Sequence, residues 1–247
     1  MHCRRLASAL LIAVLLIASF IVAHAADRRA LLELFTSQGC SSCPPADKLL
    51  GELASDPSVV ALSLPIDYWD YLGWKDTLAS PADSERQRAY ARARGDRQVY
   101  TPQIVVNGAS HVLGSDQAAI ERAIAQTDQK TGVMSVPVTL AVVDSGLNVK
   151  VQSAESGHHS GEVWLCPLAG AVPIAIGRGE NRGRTITYHN VVRGWLKLGD
   201  WTGSESTWTV PMSAIEADGV DAAAVVVQEG THDKPGLILG AAYTSLN

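Results

Sequence analysis

Short apolar runs alternate with helical patterns in the first half of the chain. The apolar runs predict buried strands, and leucines at helical spacing after the first run predict an amphipathic helix. Ser80 followed by Pro81 marks the start of a second helix, and Gly95 marks its end. The predicted elements are strand 31–36, helix 43–54, strand 59–66, helix 81–94, strand 103–106, strand 111–113 and a helix to 126 capped by Ser115 or Asp116.

This β-α-β-α-β-β-α order predicts an α/β domain over residues 26–131. Strands separated by helices favour parallel pairing, whereas the Asn107-Gly108 dipeptide predicts a tight antiparallel hairpin between the last two strands. We therefore expect a central sheet that contains parallel pairs and ends in a hairpin.

The second half shows no long helical pattern. Short strands separated by glycine-rich turns predict an all-β, antiparallel, sandwich-like domain over residues 132–247. Its predicted strands are 136–143, 147–151, 161–168, 172–176, 184–192, 205–210, 222–228 and 237–242.

The chain begins with a stretch typical of a secretory signal peptide. Arg4 and Arg5 form a basic segment, residues 6–22 are apolar, and Ala23-His24-Ala25 has the small residues of a cleavage site. We expect residues 1–25 to be removed and the mature protein to be periplasmic or secreted. The apolar run is almost long enough to cross a bilayer, so an uncleaved anchor is the alternative. No later segment is apolar enough, and we expect no transmembrane segment in the mature chain.

Charge and cysteine content narrow the function. Removal of residues 1–25 takes away two arginines and shifts the formal net charge from −5 to −7. This acidity argues against nucleic acid or an anionic membrane surface as a partner. The mature chain keeps Cys40, Cys43 and Cys166, too few for a disulfide-stapled scaffold in a chain that is long enough to bury a core. The Cys40/Cys43 pair therefore indicates chemistry more than stability.

The Cys40-Ser41-Ser42-Cys43 stretch lies between a predicted strand and a predicted helix. Cys40 is expected at or just before the helix N-terminus, where free N–H groups and the helix dipole favour a thiolate. In this interpretation Cys40 attacks a substrate disulfide, and Cys43 resolves the mixed disulfide. Two alternatives stay open. The thiolates would also suit Cu(I) in a metal-binding or delivery module, and a static disulfide would leave a non-catalytic binding protein.

Thr101-Pro102 lies directly before a predicted strand. A cis bond here would place a bare backbone edge beside Cys40, where an extended peptide would add as a strand. A trans proline at a strand start is the alternative, and it is the commoner state.

Together these motifs resemble the thioredoxin fold. More closely, ELFTSQGCSSCPPAD, DYWDYLGWKD, ERQRAYA, YTPQ and GRGENRGRTITYHNVV resemble a secreted bacterial family known as domain of unknown function 1223. The resemblance covers nearly the whole mature chain, and it implies a thioredoxin-like N-terminal domain with redox chemistry. It names no substrate.

The resemblance also implies roles for single residues. Cys40 matches the attacking cysteine of thioredoxins, Cys43 the resolving cysteine and Pro102 the cis-proline. Gly39 stands where an aromatic residue is common, and the intervening dipeptide is Ser-Ser instead of Gly-Pro. Thioredoxins carry a buried acid on the first strand, and Glu33 lies at a similar spacing here. A buried carboxyl at Glu33 would have a raised pKa and would accept the proton of Cys43; a structural or solvated carboxylate is the alternative.

Two further segments are candidate recognition surfaces. DYWDYLGWKD follows the second strand, at the sheet edge where parallel strands end, so its aromatic and acidic side chains are expected near Cys40. The alternative is that its tryptophans pin a loop onto the core. The GRGENRG loop offers Arg178, Glu180 and Asn181 to an anion or to the first domain; a solvated charged turn is the alternative, and it is the commoner state. Cys166 is expected to be a buried apolar residue, with a bond to Cys40 or Cys43 as the alternative. The expected substrate-binding residues are Asp67, Tyr68, Trp69, Asp70 and Trp74.

The sequence therefore predicts an exported thiol–disulfide oxidoreductase-like protein. The expected partners are a disulfide-bearing protein or a small thiol, together with an unidentified redox partner. We expect no cofactor and no resident metal. The expected catalytic residues are Cys40, Cys43, Thr101, Pro102 and Glu33.

Overall fold

A computed structural model describes residues 29–144, 146–154 and 160–246. The predicted signal peptide lies outside the described residues. The helices are α1 (Pro44–Leu53), α2 (Pro81–Arg94) and α3 (Gln117–Asp128). The strands are β1 (Ala30–Thr36), β2 (Val59–Pro65), β3 (Gln103–Val106), β4 (Ser110–Leu113), β5 (Val138–Val143), β6 (Gly146–Val151), β7 (Gly161–Ala175), β8 (Thr185–Val192), β9 (Leu196–Trp201), β10 (Ser206–Pro211), β11 (Ala222–Thr231) and β12 (Lys234–Ser245).

The order of the first seven elements confirms the predicted β-α-β-α-β-β-α pattern. β1 pairs with β2 in parallel and with β3 in antiparallel orientation, and β3 and β4 form the predicted hairpin. Asn107 and Gly108 both have positive φ, as a tight two-residue turn requires. The carbonyl oxygen of Gly236 occupies the space that a Cβ at Gly108 would need, so glycine is required there for packing as well.

Local sequence explains where α1 and α2 begin. Two prolines open α1, where a missing N–H costs no helical hydrogen bond. The Ser80 hydroxyl caps α2 by accepting a hydrogen bond from the Ala82 N–H, and Gly95 ends the helix in the left-handed conformation.

The structure corrects two details of the predicted strands. The two strands predicted at 161–168 and 172–176 form one long strand, β7. The strand continues without a break because its first half pairs with β11 and its second half pairs with β8. β9 was not predicted; it pairs with β7, and only Trp201 of its six residues is buried, so it lacks the apolar run that marks a strand in sequence.

A nine-stranded mixed sheet joins both halves of the chain. Its order is β12-β11-β7-β8-β2-β1-β3-β4, with β9 alongside β7. The two halves meet where β2 pairs in parallel with β8 at Ser63 and Val191, and the Asn190 amide donates to the Ala61 carbonyl beside it. The described part of the chain is therefore mostly β.

A smaller sheet, of order β10-β6-β5, lies outside the large sheet. Val149 of β6 belongs to the same buried core as Val225 of β11 and Leu239 of β12, so the two sheets pack face to face through apolar side chains.

Alternate residues of β1 enter different cores. Leu32 and Leu34 pack with Leu50 of α1, whereas Leu31 and Phe35 pack in the core that contains Tyr90 of α2. Successive side chains of a strand point to opposite faces of the sheet, so α1 and α2 cover opposite faces. This arrangement decides which residues can reach the cysteine pair.

Candidate active site

Cys40 and Cys43 form a disulfide at the start of α1. Cys43 is fully buried and Cys40 is 5% exposed, so Cys40 is the more accessible of the two. Pro44 and Pro45 have no N–H, and the next two N–H groups of the helix donate to the Cys43 carbonyl. The sequence predicted free N–H groups at the helix start for a thiolate; those of Pro44 and Pro45 are absent, and those of Ala46 and Asp47 are occupied. The Ser42 hydroxyl lies 3.4 Å from Cys40 Sγ.

Asn181 holds the turn that carries the disulfide. Its side-chain amide donates to the carbonyls of Gln38, at 3.0 Å, and Cys40, at 2.8 Å, and the residue is fully buried. Asn181 comes from the GRGENRG loop between β7 and β8, which the sequence marked as a candidate contact with the first domain. The second half of the chain therefore positions the cysteine turn directly.

Trp74 and Asp76 fix the residues just before the cysteines. Trp74 Nε1 donates to Gln38 Oε1 at 2.7 Å, and the Gln38 N–H donates to Asp76 Oδ2 at 2.8 Å. The Trp74 ring also lies against Gly177, 3.2 Å from where a Cβ would stand. Trp74 therefore packs the DYWDYLGWKD segment onto the GRGENRG loop and the cysteine turn.

Trp69 links the cysteine turn to the Thr101-Pro102 segment. The space next to Gly39 is filled by Trp69, whose Cβ lies 3.2 Å from the position a glycine Cβ would take. The Trp69 indole N–H donates to Thr101 Oγ1 at 2.7 Å. Tyr71 stacks on Trp69 and is 76% exposed, so these two rings offer aromatic surface at the site.

Pro102 follows a cis Thr101–Pro102 peptide bond, as the resemblance implied. Pro102 is buried near α1. Pro102 and Ala46 of α1 both pack against Gly114: the Cβ of each lies 3.2 Å from the position that a Cβ on Gly114 would take. Contacts around the start of α1 therefore bring together five of the predicted residues: Cys40, Cys43, Trp69, Thr101 and Pro102.

The other predicted recognition residues have internal partners. Asp67 Oδ1 accepts a hydrogen bond from Ser84 Oγ at 2.6 Å, and Asp70 Oδ1 accepts from the Asp76 N–H at 3.0 Å. The Tyr68 hydroxyl donates to the Gln87 side chain at 3.0 Å, and burial raises the pKa of Tyr68 to about 12. These contacts order the loop that presents Trp69 and Tyr71.

Glu33 is buried, but on the other face of the sheet from α1. It accepts hydrogen bonds from Arg86 Nε at 2.6 Å and from the Tyr90 hydroxyl at 2.5 Å, both on α2. Strand alternation places it with Leu31 and Phe35, and α1 covers the opposite face. The relay role predicted for Glu33 does not fit this geometry, because its carboxylate pairs with Arg86 and faces away from Cys43.

Asp47 is the buried carboxyl on the cysteine side. It follows Cys43 by four residues, so the two side chains share a face of α1. Thr36 Oγ1 donates to Asp47 Oδ1 at 2.6 Å, whereas Asp47 Oδ2 has no partner among the described residues. Burial raises the pKa of Asp47 to about 8, and the nearby Asp76 charge acts in the same direction. Asp47 was not among the predicted site residues, although its spacing of four residues from Cys43 within a predicted helix is a signal for a shared face.

Two more polar atoms near this turn lack partners within the described ranges. They are Asn181 Oδ1 and the Tyr188 hydroxyl, and both residues are buried. Burial raises the pKa of Tyr188, with a further increase from the charge of Asp47. The start of α1 therefore has two buried acidic groups nearby, Asp47 and Tyr188, that favour their protonated forms at neutral pH.

A groove of about 730 Å³ also borders the turn. It begins at Pro44 and runs between α1 and β8, where His189 packs against Gly51. Cys166, by contrast, is a free, fully buried cysteine in the core on the α2 side, and burial raises its pKa.

The described ranges contain neither a cluster of metal ligands nor a helix that could cross a membrane. No group of three or more His, Cys, Asp and Glu side chains there has the geometry to hold a metal ion. No helix in the same part of the chain is long and apolar enough to cross a membrane.

Fold and site define a mostly β protein with a nearly buried CxxC disulfide at a helix start. The chain belongs to the family described as "Protein of unknown function (DUF1223)", whose model matches residues 31–228. It is similar to a crystal structure of a protein from Agrobacterium tumefaciens, with 32% identity, a TM-score of 0.80, and coverage of 89% of this chain and 95% of that chain. It also has the fold of HBP35 of Porphyromonas gingivalis, with 14% identity, a TM-score of 0.55, and coverage of 89% and 75%. No curated protein sequence matches the chain.

Proposed function

We propose that this protein is a thiol–disulfide oxidoreductase whose N-terminal half is thioredoxin-like and whose Cys40/Cys43 pair acts on protein or small-molecule disulfides. One observation carries the proposal. Cys40, the more exposed cysteine, follows Gly39, against which Trp69 packs, while the buried acid Asp47 lies one helical turn after the fully buried Cys43. Exchange needs this asymmetry, because one sulfur meets the substrate and the other requires a proton donor.

The proposed reaction starts from the disulfide form. A substrate thiolate attacks Cys40 Sγ, the Cys40–Cys43 bond breaks, and Cys43 leaves as a thiolate that takes a proton from Asp47. A second substrate thiolate then attacks the substrate sulfur of the mixed disulfide and releases the Cys40 thiolate. The substrate dithiol is oxidised to a disulfide and the Cys40/Cys43 pair is reduced; the reverse sequence reduces a substrate disulfide.

The substrate surface is proposed to be the rim formed by Trp69, Tyr71 and Thr101. Trp69 and Tyr71 present stacked rings, and the Thr101-Pro102 backbone offers an edge where an extended peptide would add. The chemistry also requires a compartment in which thiols and disulfides exchange, so we propose export by cleavage after Ala25.

A structural disulfide is the second candidate. The nearly complete burial of both cysteines favours it, since an exposed or strained disulfide is the kind that is usually labile. In that case the protein would act through its aromatic rim as a binding protein, with no turnover at the cysteines.

A trapping experiment separates these two functions. The reduced Cys43→Ser variant is exposed to oxidised glutathione or to insulin, and mixed disulfides are detected by intact-mass spectrometry. Rapid capture at Cys40, with little capture by Cys40→Ser because Cys43 is buried, supports exchange. Cys166→Ala is the matched control and should keep the turnover of the parent protein. Equal capture by both cysteine variants, or none by either, would contradict the proposed function.

A further inference from the structure

A second cavity lies away from the cysteines, between the start of α2 and the connection from β8 to β9. Its volume is about 330 Å³, within the range of small-ligand sites. Two tryptophans, Trp164 of β7 and Trp195, line it together with Asp83 and His232. It shares no lining residue with the groove beside Pro44.

Asp83 brings a buried carboxyl to this cavity. It stands at the third position of α2, where an acid often reaches back to the N–H of the capping residue. Here the Ser80 N–H donates to the Pro65 carbonyl instead, so the Asp83 side chain is not used in the cap. Asp83 Oδ1 accepts a hydrogen bond of 3.5 Å from Trp195 Nε1, and Asp83 Oδ2 has no partner among the described residues although the residue is only 1% exposed.

The carboxylate form of Asp83, whose Oδ2 has no partner in the described part of the chain, would be stabilised by a positive charge nearby. Burial raises the pKa of Asp83 to about 8, which means that the empty cavity favours the protonated acid. Asp83 Oδ2 is itself covered by protein atoms, so a cation in the cavity would stabilise the carboxylate by charge and not by a direct hydrogen bond to Oδ2. Asp233 adds a second acid at the exposed rim, where Arg193 supplies one opposing charge.

The tryptophan walls suit the same ligand. Their ring centroids are 6.5 Å apart, with the planes at 78°. Trp195 already holds one cation, because the guanidinium carbon of Arg86 lies 4.1 Å from its ring centre. His232 packs on Trp164, and burial lowers its pKa, so at neutral pH it adds a neutral ring and no competing charge.

We propose that this cavity binds a small organic cation, an ammonium or guanidinium group, between Trp164 and Trp195 with Asp83 as the counter-ion. Carboxylate and aromatic faces together recognise such groups, and the lining of the cavity has two acids, Asp83 and Asp233, against one arginine, Arg193. The same chemistry would come from a free amine or from a lysine or arginine side chain of a peptide.

The experiment follows the indole N–H signals of Trp164 and Trp195 by NMR, assigned with Trp→Phe variants of the full mature chain. Choline and agmatine are titrated as free cations, and N-acetylarginine methylamide represents a peptide side chain. The neutral analogue is 3,3-dimethylbutan-1-ol, which has the shape of choline without its charge. We expect the cations to shift both signals with saturation and the neutral analogue to bind at least tenfold more weakly. Preference for agmatine would assign a free ligand, and preference for the blocked arginine a peptide.

Asp83→Asn is the central variant, because it keeps the shape and removes the charge. It should weaken cation binding at least tenfold, while Asp233→Asn, the exposed matched control, should change binding less than threefold. If Asp83→Asn does not fold, Trp164→Leu provides an independent loss of one wall and should also weaken binding. The proposal is overturned if no cation shifts the two signals, or if the neutral analogue or acetate binds as tightly as the cations. It is also overturned if Asp83→Asn and Trp164→Leu both bind the cations like the parent protein.

Discussion

The indole N–H of Trp69 donates a 2.7 Å hydrogen bond to the Thr101 hydroxyl, and this contact connects two segments of the proposed site. Trp69 lies over Gly39, next to Cys40, whereas Thr101 precedes the cis-proline. Trp69 thus places an aromatic ring next to Gly39, one residue before Cys40.

The first prediction concerns that hydrogen bond. Trp69→Phe keeps an aromatic ring but loses the donor, and Thr101→Val removes the acceptor with nearly the same shape. Each change should lower turnover of a protein disulfide several-fold. Together they should cost no more than the larger single effect, because both remove one bond worth about 1 kcal/mol. Steady-state kinetics of the four proteins in a double-mutant cycle measures the coupling; fully additive effects would contradict the link.

The second prediction concerns Asn181. Asn181→Ala leaves the buried carbonyls of Gln38 and Cys40 without their donor, which should lower the free energy of unfolding by about 1–3 kcal/mol. Urea denaturation measures the loss. Arg182→Ala, an exposed neighbour in the same loop, is the control and should change stability by less than about 0.5 kcal/mol. Similar small effects at both positions would mean that the loop does not hold the cysteine turn.

The third prediction concerns stability and pH. The folded-state pKa of Asp47 is about 8, above the value of about 3.9 for an unfolded aspartate. Between these values the folded chain keeps a proton that the unfolded chain releases, so the free energy of unfolding falls as pH rises. Asp47→Asn cannot ionise, so it should not show this fall in the free energy of unfolding. Its stability relative to the parent should improve by roughly 1 kcal/mol per pH unit between about pH 4 and pH 8.

Denaturation of both proteins at several pH values measures this difference. Asp83 contributes the same trend in parent and variant, and therefore cancels in the comparison. A difference between the two proteins that does not change with pH would show that Asp47 is already ionised when buried.

The fourth prediction separates the two buried acids by kinetics. Asp47 should protonate the departing Cys43, so the rate of opening the disulfide, expressed per thiolate, should fall as pH rises through about 8. Asp47→Asn should react about tenfold more slowly at neutral pH and lose this pH dependence. Glu33→Gln breaks the ion pair with Arg86 and should destabilise the fold by about 3–5 kcal/mol, yet keep the kinetic profile of the parent. Stopped-flow fluorescence with a dithiol gives both profiles, and a reversed pattern would return the proton-transfer role to Glu33.

Sequence alone predicted the elements that carry the cysteines. β3 was predicted with its observed bounds, and the predicted helix at 43–54 differs from α1 by one residue at each end. Apolar periodicity, paired prolines and the Asn-Gly turn are local signals, so they can be interpreted without the fold. The family resemblance was confirmed for the same reason, because its motifs are long and continuous.

The rest depended on contacts between distant segments. Asn181 and Cys40 are 141 residues apart, and nothing near Asn181 in sequence indicates its partner. The predicted role of Glu33 does not fit the observed geometry, because strand alternation alone does not show which face of the sheet each helix will cover. Asp47 was missed because its burial comes from packing against the end of β1, where Thr36 meets it.

The reduction potential of the Cys40/Cys43 pair tests the central claim most directly. Equilibration in glutathione buffers, followed by alkylation and mass spectrometry, measures it, and Cys166 serves as an internal buried thiol. An exchanging pair should have a potential between roughly −120 and −270 mV. A value below about −300 mV would contradict the account and assign the disulfide a structural role.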